Sequence, residues 1–599
     1  SGDVCTEVRE IMAECEASCP ETGDYTQTHV LLDKATHAVS KALEGADEAS
    51  ALRARREMDA HVQPALDASG DNNYRKLFRL YEVGAAERGA IAKYCQVDCD
   101  LVVQLLDRLN VVANTLQMSQ VCNTLADDVC NRGQQIKTFN LIARYARERG
   151  YVMNRRDTGW DPDAEYEGAT VLEPIPGYYQ TPVATLDFAS LYPSLMRGFN
   201  LCFSSLVLDE KYKRLPGVKY GRYDIGGKTW VFQESTPGLL PDILGSLLEA
   251  RRAKKREMKK YNKTSLDYRL CDGAQLALKV SCNSVYGFCG VVNNGMFPCL
   301  PVAVATTYNG RLAISQTKSF VEQKYNATVI YGDTDSVMLT FPGVETVPAA
   351  FELAERVATE TSAIFPDTVV LEFEKVFYPY LLIKRKTYSG LKYEDDPEAP
   401  PSLDVKGLAV VRRDNCALVR DVMKQVLNLT MRDNNPSEAF AVVQRAVTGL
   451  VEDRIPLGQL QITNSLKADD SYANDAQPQL TVVRKMRARK AFDIPRSGDR
   501  VPFVITENAR LPRVSDRAEH PRYVAEHPEM RVDTLYYLKN QLEKRLQSIL
   551  HLLPVANVDR LFVDAEAQVS ARGIDTKCMS KVVKVSERKR PIDTSLPKA

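Results

Sequence analysis

The sequence carries no excess charge of either sign: among its 599 residues, 78 Lys and Arg are balanced by 78 Asp and Glu. Net charge therefore says nothing about a polyanionic partner, and any such signal must sit in local clusters. Long hydrophobic runs are also missing. The apolar stretches around Leu101 and Val302 fall well short of the ~18 residues a membrane-spanning helix needs, so a soluble chain with no membrane partner is expected. Histidine is scarce, at six, and the 14 cysteines include no Cys-x-x-Cys, the closest pairs being Cys15/Cys19 and Cys95/Cys99. That spacing argues against zinc ribbons and fingers and leads us to expect a reduced, intracellular chain with no structural zinc or iron-sulfur cluster. No Met and no basic-then-apolar leader open the chain, which starts Ser1-Gly2-Asp3 as a fragment would. What is present is ordinary: 44% hydrophobic and 26% charged residues exclude disorder, collagen-like repeats and low-complexity scaffolds. At ~100–200 residues per domain, roughly three to five units are expected.

Residues 1–70 are rich in Ala, Glu, Asp and Arg, with helical periodicity over 31–61, and read as a helical surface insertion. The pattern stays mostly helical over 74–153. Pro174, Pro176, Gly177 and Pro182 then punctuate the chain, so a new unit begins near residue 170. Residues 181–188 read as a short strand running into Asp187. Helical segments are predicted over 241–263, 273–288 and 303–323. Two β-rich runs within 327–340, separated by Gly332-Asp333-Thr334-Asp335, predict a hairpin with acidic residues at its tip. Beyond Asp404 the pattern is mainly helical, with a polar break at 433–437 and a Pro/Gly-rich patch at 495–502; there is no internal repeat.

Taken alone, Gly-Asp-Thr-Asp is good turn chemistry. A third carboxylate changes the reading, because Asp187 ends a strand in Asp187-Phe188-Ala189-Ser190-Leu191-Tyr192-Pro193-Ser194. Carboxylates gathered at strand ends repel unless cations lie between them, which predicts a site for hard divalent metals such as Mg²⁺. Two such ions ~3.5–4 Å apart stabilise both the attacking and the leaving oxygen of a phosphoryl displacement. Phosphoryl transfer also needs positive charge on the non-bridging oxygens. Arg251 and Lys255 share one helical face, and Lys279 and Asn283 repeat that spacing with Tyr286 a turn further on. Residues 251–263 contain eight basic side chains and one acidic. A solvated face would account for that run. It does not account for Lys279, Asn283, Ser284 and Tyr286 set among Leu276, Leu278, Val280 and Val285.

The segment from Asp187 to Ser194, the stretch 279–287, and Tyr331-Gly332-Asp333-Thr334-Asp335-Ser336 resemble the three polymerase motifs of the B family of DNA-dependent DNA polymerases, in the right order and at the expected separations. The likeness is nearest to the delta-type replicative catalytic subunits and their relatives in large DNA viruses. It extends over Arg132-Gly133-Gln134-Gln135-Ile136-Lys137, Leu371-Glu372-Phe373-Glu374-Lys375, Asp404-Val405-Lys406-Gly407-Leu408, Arg412-Arg413-Asp414-Asn415-Cys416, Gly498-Asp499-Arg500-Val501-Pro502 and Asp533-Thr534-Leu535-Tyr536-Tyr537-Leu538, so about 76–553 is covered. The resemblance implies an α+β multi-domain fold, a right-hand polymerase preceded by a partial RNase H-like exonuclease region. The implied division is a partial 3′–5′ exonuclease domain with its insertion (1–112), a connecting segment (113–165), palm of antiparallel sheet plus helices (166–237 and 291–409), helical fingers (238–290), and a mainly helical thumb with a tail (410–599).

The resemblance also implies roles. Asp187 and Asp335 would hold two Mg²⁺ ions, with Asp333 nearby and less central. The backbone at Ser190 and Leu191 would cradle the triphosphate, and Arg251, Lys255, Lys279 and Asn283 would grip its oxygens. Tyr192 would fill the space a ribose 2′-OH needs, while Tyr286 and Gly287 would pack on the new base pair and Thr334 would lie against DNA. Arg385-Lys386-Thr387-Tyr388 resembles the family's minor-groove sensor, which makes Lys386 and Tyr388 candidates for checking pairing geometry through acceptors common to all correct pairs. Arg484, Lys485, Arg487, Arg489 and Lys490 would contact duplex phosphates. Tyr94 and Asp98 resemble part of the third exonuclease motif, Tyr94 orienting water and Asp98 binding metal. No Asp-x-Glu on an apolar strand precedes residue 90, so no proofreading is expected of this chain: either it begins inside that domain or the activity is lost. Only Cys578 follows Cys416, without the two cysteine-rich modules of cellular delta-type subunits, which favours the viral branch. No clamp-binding peptide is visible to support a processivity factor. The expected partners are primer-template DNA and dNTPs, in the nucleus for a cellular enzyme and in the nucleus or a cytoplasmic replication site of the host for a viral one. Two alternatives stay open: a reverse transcriptase or RNA polymerase, and a catalytically silent polymerase-fold scaffold that binds DNA.

Overall fold

The computed structural model describes residues 78, 81–153, 166–292, 294–411, 414–468, 471–472, 474–491 and 494–571. The insertion expected over 1–70 and the tail beyond 571 lie outside the described residues. The chain divides into two compact units, 1–109 and 110–599. The described part of the first is dominated by helix α1 (Ala85–Arg108).

The second unit begins with helices α2 (Val111–Cys122), α3 (Ala126–Asn131) and α4 (Gln134–Glu148). A seven-stranded antiparallel sheet follows, built from β1 (Gly177–Tyr179), β2 (Val183–Phe188), β5 (Thr328–Asp333), β6 (Ser336–Thr340), β7 (Leu371–Lys384), β8 (Thr387–Tyr393) and β9 (Ser402–Lys406). Its order is β5-β6-β2-β7-β8-β9, with β1 also paired to β7. A separate hairpin, β3 (Tyr220–Ile225) and β4 (Lys228–Gln233), lies between β2 and the next strand of the sheet. The two central strands explain why chemistry collects where it does. On β2, Ala184, Leu186 and Phe188 are buried in one core with Leu339 and Val337 of β6. Because successive side chains alternate between faces, Asp187 must point the other way. A one-residue slip would turn the carboxylate into that core, so the hydrophobic pattern fixes the register.

That core is closed by helices α8 (Leu300–Tyr325) and α9 (Val347–Ser362), through Ala313, Ile314 and Val321 of the first and Ala350, Ala354 and Val357 of the second. The opposite face is aromatic, with Tyr331, Phe377 and Tyr380 fully buried. Between β2 and β5 the chain also forms α5 (Leu191–Gly198) and an antiparallel pair, α6 (Leu239–Met258) and α7 (Leu266–Gly290). Ser265 caps α7 by accepting from the Tyr268 N–H. The helices expected at 241–263, 273–288 and 303–323 and the hairpin expected within 327–340 are all present; the first helix ends five residues earlier than expected, and the other two extend past both expected ends.

After β9 come α10 (Ala417–Met431), α11 (Pro436–Val451), α12 (Pro478–Ala488) and α13 (Val558–Ala571). This region is helical as expected, but it also holds a sheet the sequence did not disclose: β10 (Ile462–Ser465), β11 (Arg500–Ile505) and β12 (Ala518–Glu519). Val501, Phe503 and Ile505 alternate inward on β11. Gly498 at φ +98° and Pro502 inside the strand broke up that short run, which read as a loop.

The same region holds a buried acid. The Glu519 side chain is 1% exposed and accepts both ends of the Arg489 guanidinium, at 2.9 and 2.8 Å. Burial alone would push its carboxyl up, but the Arg489 hydrogen bonds and the Lys485 charge outweigh this and hold it below its ordinary range. Glu519→Gln would leave two cations partly buried without their counter-charge, so a stability loss of about 2–4 kcal/mol is expected in urea unfolding. A change within a few tenths of a kcal/mol would show that water already compensates the two cations.

Candidate active site

The site is built where β2 and the β5–β6 hairpin meet. Asp187 pairs with Ser336 across the β2–β6 ladder, and the Phe188 N–H donates to the Asp335 carbonyl at 2.8 Å. Thr334, at φ +64°, and the Asp335 N–H to Asp333 carbonyl bond at 2.7 Å make the tip a very tight turn. The two carboxylates are thereby brought near one another, close enough for the Asp335 charge to act on Asp187. Burial, then the charges of Asp335 and Glu374, push the Asp187 carboxyl up to about 7. Asp335 is raised too, by burial first and then by Asp333 and Glu374. Such a strained acidic pair is the donor set a hard divalent cation satisfies, because oxygen ligands of this kind gain most from the ion that neutralises them. The residues present therefore fit the metal that the family resemblance implies. Glu374, on β7 and absent from the sequence-derived site, adds to the negative field; its only sequence signal was the charged alternation of Glu372, Glu374 and Lys375.

Asp333 adds its charge to Asp335 but has partners of its own. Its carboxylate accepts from Lys386 Nζ at 2.7 Å on both oxygens, from Thr334 Oγ1 at 3.1 Å and from the Tyr331 hydroxyl at 3.3 Å. Among the described residues no group of three His, Cys, Asp or Glu side chains is arranged to hold one metal ion. Lys386 lies in the β7–β8 turn at φ +57°, its N–H bonded to the Tyr331 hydroxyl at 2.8 Å. Tyr388 packs against Tyr380 and Tyr331, and a cleft of about 350 Å³ opens among Tyr331, Asp333, Asp335, Met338, Lys386 and Tyr388.

Raised carboxyl pKa values give a pH dependence. Below the ordinary value of 3.8 Asp187 is protonated in folded and unfolded chains alike. As pH rises towards about 7 the unfolded chain ionises first, so the metal-free fold loses stability over that window. Asp187→Asn should therefore melt at a higher temperature than wild type at pH 8 in a chelator, with the gap closing towards pH 4. Parallel melting curves across that range would refute the assignment.

Ser190, at φ +51°, precedes the first turn of α5, where Leu191 is buried and Tyr192 half-buried. The Tyr192 ring packs against that of Tyr286 of α7, tilted by 39° with centroids 4.3 Å apart. Burial, then the neighbouring Asp335 charge, raises the Tyr192 hydroxyl, which locates the ring beside the carboxylates. From Tyr286 an exposed stripe runs back along α7 through Gly287, Asn283 and Lys279, and at 1.5 Å per residue Lys279 is ~10 Å along the helix from Tyr286. Arg251 of α6 reaches α7 through Gln275 at 3.4 Å, and Lys255 one turn on is exposed. The sequence-derived cations and Tyr286 thus share the α6–α7 pair, and Tyr192 meets it from α5.

The other predicted positions fare differently. Lys485 turns inward: its Nζ donates to the carbonyls of Asp516 at 2.8 Å and Ala518 at 2.7 Å, and burial lowers its pKa. Together with the Arg489 grip on Glu519 this gives both residues a partner within the protein. Arg484 and Arg487 face outward on α12, Arg484 within 3.3 Å of Asp475. Tyr94 and Asp98 lie on α1 in the first unit, both exposed.

Residues 125–553 match the family model described as DNA polymerase family B. The chain belongs to that family. It is 39% identical over 501 residues to the DNA polymerase delta catalytic subunit of Drosophila melanogaster, covering 80% of this chain and 44% of that protein. The delta catalytic subunits of Bos taurus, 41% identical over 502 residues (82% and 44%), and Schizosaccharomyces pombe, 41% over 491 residues (80% and 44%), are similar to the same extent. The chain spans less than half the length of these relatives. Among solved structures it resembles the family B DNA polymerase from the hyperthermophilic archaeon Pyrobaculum calidifontis, with a TM-score of 0.57 and 26% identity over 81% of this chain and 59% of that one.

Proposed function

We propose that this chain carries out template-directed DNA synthesis, adding dNTPs to a primer 3′-hydroxyl. The observation that carries the reading is the Asp187–Asp335 pair, both raised in pKa by burial first and then by neighbouring carboxylates, with the Tyr192–Tyr286 ring contact beside it. In this reading the sheet with α8 and α9 (166–237 and 291–409) is the palm, α6 and α7 (238–290) are the fingers, and the region after 410 is the thumb. Asp187 and Asp335 would hold two Mg²⁺ ions, with Asp333 less central, and when bound the ions would supply Lewis-acid stabilisation of charge on the attacking and leaving oxygens.

The chain's own residues do the positioning. The α5 N-terminus at Ser190 and Leu191 presents backbone N–H groups to the triphosphate. Arg251, Lys255, Lys279 and Asn283 bind its outer oxygens, which orients the α-phosphorus for in-line attack. Tyr192 excludes a ribose 2′-OH, and Tyr286 with Gly287 and Thr334 flanks the nascent pair. Lys386 reaches the minor groove of the primer end by leaving Asp333, with Tyr388 beside it. Arg484 and Arg487 contact duplex phosphates. Tyr94 and Asp98 alone provide one part of an exonuclease site, so no mismatch excision is assigned to this chain. Its site of action is the nucleus or, for a viral enzyme, the host replication compartment.

Extension of a labelled primer on a DNA template with Mg²⁺ tests the reading. Full-length product from wild type, with a 3′-mismatch left unexcised, supports it. Tight binding to primed DNA without any product would favour the silent scaffold instead.

A further inference from the structure

The segment just before β1 forms a strap that neither the motifs nor the roles above use. From Thr170 onward it follows β5: the Thr170 carbonyl accepts from the Thr334 N–H at 3.2 Å, and the N–H groups of Leu172 and Ile175 donate to Gly332 and Ile330 at 2.9 and 2.8 Å. At its other end the Tyr166 hydroxyl lies 3.3 Å from that of Tyr286 and is packed so closely on α7 that a Cβ at Gly290 would collide with it. Between these ends sits one cation. Arg311 of α8 donates from one guanidinium nitrogen to the carbonyls of Glu167 and Gly168, at 2.7 and 3.0 Å, and its other terminal nitrogen lies 3.3 Å from the Glu167 carboxylate. Its side chain is only 15% exposed, and its guanidinium lies over the Tyr308 ring of the same helix at 5.9 Å.

We propose that Arg311 is a positioning residue for nucleotide selection: by pinning the Glu167–Gly168 backbone it holds Tyr166 against Tyr286 and so keeps the Tyr286–Tyr192 stack closed over the sugar site. The inference rests on the polymerase reading and deepens it. The geometry gives Arg311 this task because a planar fork can satisfy two adjacent carbonyls and a carboxylate together, which fixes both the height and the direction of the strap. Without the pin, the strap keeps its β5 bonds but its Tyr166 end is free. Tyr286 then loses its brace, and the Tyr192 ring can tilt away from the place where a 2′-OH would collide.

The test compares wild type with Arg311→Met, which keeps the apolar stem, and Arg311→Lys, which restores donors. Two readouts are taken: the ratio of kcat/KM for dATP over ATP in primer extension, and amide hydrogen exchange of peptides covering 166–172 and 284–290. Loss of charged hydrogen bonds of this kind is expected to lower the ratio by about tenfold in Arg311→Met, through a higher KM for dATP and a lower one for ATP, with partial recovery in Arg311→Lys. The Mg²⁺ concentration for half-maximal extension should stay fixed, which general misfolding would not allow. Exchange should quicken in the two peptides and not across β2 and β6. Adding Tyr166→Phe to Arg311→Met should change the ratio no further, since both act through one contact. An unchanged ratio, or exchange that is unchanged or raised throughout the sheet, overturns the proposal. A wild-type chain that extends nothing overturns the polymerase reading itself, and with it the nucleotide role of Arg311, while the exchange result still reports whether the pin exists.

Discussion

Asp335→Ala and Asp187→Ala should each lower primer extension by at least ~10³-fold, since the ion each carboxylate holds is asked to supply about 4 kcal/mol or more of charge stabilisation in the transition state. Binding to primed DNA should change by less than about threefold, because affinity for duplex comes mainly from phosphate contacts elsewhere. The two carboxylates lie where the β2–β6 ladder ends, Asp187 opposite Ser336, so neither replacement touches the buried face that holds the sheet together. Removing either also removes a repulsion, and the variants should be no less stable than wild type without metal. Substantial residual synthesis by either variant, measured by single-turnover extension, would sink the metal assignment. Asp333→Ala should be milder, since its carboxylate faces Lys386 and not the acidic pair.

Tyr192→Ala should admit ribonucleotides, lowering the deoxy-over-ribo ratio of kcat/KM by on the order of 10²-fold, which is what relieving a steric overlap of this size is worth. The ring has little freedom. Tyr286 stacks on one side at 4.3 Å, and on the other α8 comes so close that a Cβ at Gly310 would lie 3.2 Å from the Tyr192 ring. A ring held from both sides cannot swing aside for a 2′-OH, whereas alanine leaves the space open. Tyr192→Phe should keep the discrimination, because shape and not the hydroxyl does the excluding. Sugar selectivity unchanged in Tyr192→Ala would take the gate away from this residue.

Much of this protein was determined by the sequence alone. The acidic hairpin, the strand into Asp187 and the Lys279–Asn283–Tyr286 stripe are set by periods of two and 3.6 within a few residues, and the hydrophobic alternation of β2 already dictates that Asp187 faces away from Leu186 and Phe188. Tertiary structure alone decided which of these local features meet. Along the chain Asp333 and Asp335 sit two residues apart in one turn and Asp187 about 150 residues before them, yet folding set Asp187 beside Asp335 and gave Asp333 an ion pair with Lys386, 53 residues away. A run of five basic residues looked like one phosphate-binding face, yet Lys485 and Arg489 turn in to neutralise Glu519, a partner that 30 or more residues of intervening chain conceal. β11 was hidden by the proline and glycine around it. The Tyr166–Tyr286–Tyr192 contact and the Arg311 pin left no mark at all, because they join residues about 95–145 positions apart. Local periodicity reports how a segment is shaped, but a long-range contact depends on how several segments pack together, and no single stretch of sequence encodes that.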